Sequence, residues 1–281
     1  MSETAASRYR VMVHAAEDDR RRTGSPSACA EASADRWQAG AARFREDPFR
    51  AHDTLQTLLS YIAPSDTVLD VGGGAGRYLP LARQCREYVN VEPSPSMAAQ
   101  FELSVREAGI TNARCLQRAW EQADITGDVG FSANVVYYIA DIVPFIAKLH
   151  AASHRRVMLV LHSVPPRNGG ADVARIMHGR APAPDPGYRE LLPVLWDMGL
   201  LPDVRVLGPS DFIAERGRYP DRAAAMAAVV PTQLEEADRA RVTRALAAQF
   251  DELFILTPED GYRRRPQGDS RVLLITWETQ H

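Results

Sequence analysis

Lysine is nearly missing from this chain of 281 residues: Lys148 stands alone beside 32 arginines, which we read as the codon bias of a GC-rich genome rather than as function. Cysteine is scarce as well. Cys29, Cys85 and Cys115 lie far apart and show no metal-ligand spacing, so no metal site is expected, and without a secretory leader a reducing cytoplasm is the expected compartment. No apolar run approaches the roughly 18 residues that a membrane-spanning helix needs, so a soluble protein is expected. Nor is there a surplus of charge of one sign. A net charge of -3 and a pI near 6.2 provide no electrostatic footprint for nucleic acid or an anionic membrane, and neither is expected as a partner. No internal repeat is present. With 45% hydrophobic and 25% charged residues, what remains is an ordinary globular composition, long enough for one large domain with insertions.

Glycine, in contrast, is concentrated in one place. Val68-Leu69-Asp70-Val71 runs into Gly72-Gly73-Gly74-Ala75-Gly76-Arg77, and an apolar-periodic stretch (Tyr78, Leu79, Leu81, Ala82) follows. The pattern reads as strand, tight turn and helix start, a place where main-chain N–H groups meet an anionic group. A dinucleotide fingerprint would require glycine at position 77, where Arg77 stands, and this disfavours a nicotinamide-dependent oxidoreductase. An acid at the strand end would repel a diphosphate but suits the ammonium of an amino-acid ligand whose carboxylate lies at the helix start. A second strand, Tyr88-Val89-Asn90-Val91, ends at Glu92, about 20 residues beyond the first turn, where an acid accepts hydrogen bonds from both hydroxyls of a ribose.

Asp70, the glycine turn and Glu92 together resemble the cofactor motifs of class I S-adenosylmethionine-dependent methyltransferases. The resemblance covers residues 50–163 motif by motif and the remainder by element order. It implies that Asp70, Gly72, Gly73, Gly74, Gly76 and Glu92 hold S-adenosyl-L-methionine and its product S-adenosyl-L-homocysteine. It places Pro93, Met97, Ala119 and Trp120 around the adenine, and Asn134 and Val135 beneath the methionine part. It also implies a doubly wound, Rossmann-like, seven-stranded and mostly parallel α/β sheet whose last strand runs antiparallel beside the fifth.

The rest of the chain fits that frame. Strands are expected at 114–117, 129–132, 156–161, 204–207 and 271–277, and a helix at 188–198 closed by Gly199. Residues 1–34 read as a frayed arm or a short helix whose Arg20-Arg21-Arg22 run is a solvated face. Residues 35–281 then form the domain. A helix carrying Trp37, Ala41 and Phe44 on one face and ending at Pro48 is expected beside the cofactor. Segments 164–186 and 209–268 read as largely helical lid insertions over a small-molecule pocket. The expected reaction is methyl transfer to an O, N or C nucleophile of a small-molecule acceptor, by a monomer or homodimer. His162, Tyr137 and Tyr138 are the candidates for a base by position. The alternative is a protein that binds the cofactor without turnover, as a sensor or regulatory partner.

Overall fold

Runs of β-branched and apolar residues, buried on both faces, make the centre of a parallel sheet. The computed structural model describes residues 3–23, 35, 37–38, 41–45, 52–209, 218–230, 234–258, 261–265 and 270–279. Seven such runs form its main sheet: β1 (Thr67–Val71), β2 (Glu87–Val91), β3 (Ala113–Leu116), β4 (Gly127–Ala133), β5 (Ser153–His162), β6 (Asp203–Pro209) and β10 (Arg271–Glu278). Their order is β3-β2-β1-β4-β5-β10-β6. The first five are parallel, and β10 lies antiparallel between β5 and β6, so the seven-stranded, mostly parallel expectation holds. Every residue of β1 is buried, and Val157 to Leu161 of β5 carry at most 1% exposure, at about 1.5–3 kcal/mol per large apolar side chain.

Two apolar layers cover the sheet. On one face Leu69, Val89 and Leu159 pack with α1 (Ala5–Arg22), α4 (Ile142–Ala152) and α6 (Tyr188–Asp197). On the other, Val68, Tyr88, Phe131 and Val160 pack with Leu58 of α2 (His52–Leu59) and Phe101 of α3 (Pro95–Ala108). Helix α3 starts on the Ser94 side chain, which accepts from the Met97 N–H, and stops at Gly109.

Four expectations need correction. Residues 5–22 are neither frayed nor short: Tyr9, Val13 and Ala16 are buried, and the Tyr9 hydroxyl donates to the Val136 carbonyl at 2.8 Å. Arg20 is not on a solvated face but buried, because Asp185 and Glu17 pair with it. The turn at 72–76 leads not into an α-helix but into a five-residue 3-10 helix (Leu79–Arg83), since Pro80 removes an N–H and β2 begins at Glu87. Finally, the 209–268 segment is only partly helical. Besides α7 (Arg222–Val229), α8 (Glu236–Ala248) and α9 (Phe250–Leu253) it carries a small antiparallel sheet of β7 (Arg218–Tyr219), β9 (Gly261–Arg264) and β8 (Phe254–Thr257). Val173 of α5 (Ala171–His178) shares one apolar core with Ala225, Leu246, Phe250 and Phe254, which joins the two insertions into one body. Cys29, Pro48 and the loop at Gly268-Asp269 lie outside the described residues; Cys85 and Cys115 are free thiols.

Candidate cofactor crevice

The parallel strands leave a crevice at their carboxyl ends, and the turn after β1 lies in it. Gly74 has φ +57°, and a Cβ there would meet nothing nearer than Met97 Sδ at 3.9 Å, so this glycine faces open space. Gly73 faces inward: a Cβ would come within 2.2 Å of the Asp70 carboxylate. Glu92, just past β2, locks onto the same turn. Its carboxylate accepts the Gly74 N–H at 3.0 Å and the Ser94 N–H at 2.8 Å, while Asn90 Nδ2 donates to the Gly74 carbonyl at 3.0 Å. Burial raises the Glu92 carboxyl above its ordinary range, and the two N–H donors oppose that rise.

Asp70, expected to meet a ligand ammonium, lies directly below the turn. Its side chain lies under Gly73 and is fully buried, on the same face of the sheet as Tyr88 and Asn90, because Asp70 pairs in register with Asn90. The Tyr88 hydroxyl donates to one carboxylate oxygen, while Asp70 Oδ1 and Asn90 Oδ1 have no hydrogen-bond partner among the described residues. Burial pushes the carboxyl up to about 7, with Tyr88 opposing and Glu92 adding. Asp70 thus supports the turn from below. The period-2 pairing of Asp70 with Tyr88 and Asn90 was readable in the two strand sequences and was missed.

The remaining positions divide. Met97 is buried against Ala75 and Ala41, with Trp37 and Phe44 over them. Trp37 meets Phe44 edge-on at 5.5 Å and Tyr138 at 5.8 Å, so these aromatics lie over Ala75 of the glycine turn, and the expected continuous helix is instead a turn at 37–38 and a 3-10 segment, Ala41–Phe44. Asp35 fastens those aromatics, a role the sequence reading did not assign. It accepts from Ser94 Oγ (2.7 Å), the Ser96 N–H (2.9 Å) and the Trp37 N–H (3.1 Å), and against the cost of burial these bonds hold its carboxyl below the usual range. Pro93 is exposed at the rim and Ala119 half-buried. Trp120 is corrected: its ring is in the core, its indole N–H reaches the Phe145 carbonyl at 3.5 Å, and Lys148 lies 5.0 Å over it, so it anchors α4.

After β4, Asn134 has φ +60°, alone among described non-glycine residues, and Val135 packs on Gly72. Sparsely populated backbone of this kind costs roughly 1–3 kcal/mol and persists where surroundings enforce it. Here the Asn134 N–H is held by the Val160 carbonyl at 2.8 Å. Tyr137 is buried, and its hydroxyl accepts the His162 N–H at 2.7 Å. It therefore ties the ends of β4 and β5 together, and burial drives its phenol far above the ordinary value. His162 is buried, and burial first, then the Arg77 cation, bring its imidazole down to about 4, so it is neutral at pH 7. Tyr138 is half-buried between Trp37 and Arg20, whose guanidinium carbon lies 4.9 Å over the ring.

A methyltransferase-domain profile matches residues 69–160, from within β1 to within β5. Residues 69–160 thus match a methyltransferase domain. Two solved structures share its fold: the YcgJ protein of Bacillus subtilis, with a TM-score of 0.52 at 15% identity over 82% of this chain and 99% of that one, and BH2331 of Bacillus halodurans, with 0.54 at 10% identity over 81% and 98%. In sequence, 65 residues are 46% identical to the 23S rRNA (uracil(1939)-C(5))-methyltransferase RlmD of Aeromonas salmonicida, 23% of this chain and 14% of that protein. The RlmD of Aeromonas hydrophila is 46% identical over 78 residues, 27% of this chain and 17% of the relative. The chain thus spans only a small part of these relatives' length. Among the described residues no helix is long and apolar enough to cross a membrane, and no cluster of metal-binding side chains is present.

Proposed function

We infer that this methyltransferase moves the methyl group of S-adenosyl-L-methionine to an O, N or C nucleophile of a small-molecule acceptor bound under the 164–186 and 209–268 insertions. The carrying observation is that Glu92 and the open Gly74 are hydrogen-bonded to each other in one crevice, with Trp37 and Phe44 over Ala75 of the same turn. Each Glu92 oxygen uses one of its lone pairs on a main-chain N–H and keeps another for a ribose hydroxyl. The turn N–H groups suit the ligand's carboxylate, and Met97, Pro93 and the Ala119 backbone suit its adenine. The cofactor supplies an already activated methyl group, so the protein's task is alignment, which contributes on the order of 7 kcal/mol or more. Where the acceptor carries a proton, His162, Tyr137 and Tyr138 are the candidates by position to take it, and burial makes the His162 imidazole a weak base.

A second reading, methylation of an RNA base, draws on the local likeness to RlmD. The net charge of -3 weighs against it. Purified protein with labelled S-adenosylmethionine and, in separate arms, a metabolite extract and total RNA tests both. Label in the extract fraction alone supports the first reading, and label in RNA replaces it. Cofactor binding with no transfer to either arm would make the protein a non-catalytic binder, and absence of binding would overturn the site.

A further inference from the structure

Strand β6 ends the seven-stranded sheet, and no described strand lies beyond it. An edge strand carries a row of free N–H and C=O groups, and natural edges are commonly blunted by charge, proline or a bulge. Here the protection is displaced outward. Pro202 precedes the strand and Pro209 is its last residue, and its irregularity against β10 falls between Val206 and Pro209, so 203–206 is regular. That regular stretch is apolar and uncovered on one face. Val204 is 42% exposed and Val206 66%, with Leu201 just before them at 83% and Trp196, near the end of α6, at 54%. The strand also borders an open hollow of about 500 Å³ lined in part by Leu200, Leu201, Asp203 and Trp277.

We propose that β6 pairs antiparallel with β6 of a second copy of this chain, about a two-fold axis at Val204, joining two seven-stranded sheets into one. The order Pro202-Asp203-Val204-Arg205-Val206 is self-complementary in that register. Val204 meets its own copy, Val206 meets Pro202, and Asp203 meets Arg205 twice. The two valines and Pro202 form an apolar row on one face of the seam, and the opposite charges pair on the other. Centring the axis on Asp203 or Arg205 instead would oppose like charges, which selects against those registers. Arg205 is already aimed by the Tyr61 hydroxyl, to which its Nη1 donates at 2.7 Å, and a guanidinium keeps further donors for Asp203 of the second copy. An isologous contact of this kind closes at two copies. The cofactor crevice lies around β1, β2 and β4, several strands away, so pairing leaves it free.

Light scattering after size exclusion is expected to give twice the 31.0 kDa chain mass. Val204→Cys should give a disulfide-linked pair on mild oxidation, whereas Val206→Cys and the unaltered chain do not. Asp203→Arg should weaken association about tenfold or more, and the swap Asp203→Arg with Arg205→Asp should restore it, with cofactor affinity unchanged throughout. A monomer at all concentrations overturns the proposal. So does a dimer that Asp203→Arg and Val204→Lys leave intact, or one in which Val206→Cys links as readily as Val204→Cys.

Discussion

The cofactor side of the rim and the insertion side are held by different means. Around the glycine turn, recognition is mostly main chain: strand-end residues grip backbone N–H and C=O groups, as Glu92 and Asn90 grip Gly74. On the insertion side, long side chains hold distant segments together. Asp19 binds Arg167 and Arg180, Arg20 binds Asp185, and Asn168 and Asp185 exchange two hydrogen bonds. The first arrangement fixes the shape of the turn and tolerates little change. On the proposed reading, the second permits a different acceptor pocket beside an unchanged cofactor site.

Four substitutions probe that contrast. The largest effect is expected from Glu92→Ala, which removes the charged acceptor proposed for the ribose and should lower S-adenosylmethionine affinity at least about 100-fold by calorimetry. Unchanged affinity would erase the distinction between the two sides. Next, Arg20→Met leaves the buried Asp185 carboxylate without its ion-pair partner, with the Arg167 cation still near it, and should cost about 3 kcal/mol in denaturant unfolding while cofactor affinity stays within about twofold. A parallel loss of cofactor binding would mean that the two sides are one unit. Gly74→Ala forces a side chain into the left-handed region at about 1–2 kcal/mol but has open space, so affinity should fall more than melting temperature. Gly73→Ala, which strikes the Asp70 carboxylate, should do the reverse.

A fifth substitution reads the underside of the turn through pH. The Asp70 carboxyl is raised in the folded chain to about 7 from 3.8, so between those values the folded state holds a proton that the unfolded state has released. Stability from this group is present below about pH 4 and is lost as pH rises through about 7. Asp70→Asn keeps an acceptor for Tyr88 and cannot ionise. Thermal melts of this variant should therefore lack the decline between pH 4 and pH 7 seen in the native chain. Parallel curves would mean that Asp70 is ionised in place.

The sheet and the turn were legible because their signals are local: an apolar run, a set of glycines, and an acid closing each of two strands. Trp120 shows where locality ends, since its position beside β3 suits an adenine wall but Phe145 and Lys148 of α4 claim its ring. The same holds for Arg20, which reads as part of a basic run until Asp185 is brought beside it. The small sheet β7-β9-β8 was missed because its strands are two to four residues long, too short for a period to register.

Helix α1 is made long before the residues that satisfy it. Its Tyr9 needs a carbonyl 127 positions on, its Asp19 an arginine 148 positions on, and its Arg20 a carboxylate 165 positions on. Until more than half of the chain has left the ribosome, the helix has only its own neighbours to bind. Its apolar stripe of Tyr9, Val13 and Ala16 is then the surface that a nascent-chain chaperone would meet, and its docking is expected among the closing steps of folding.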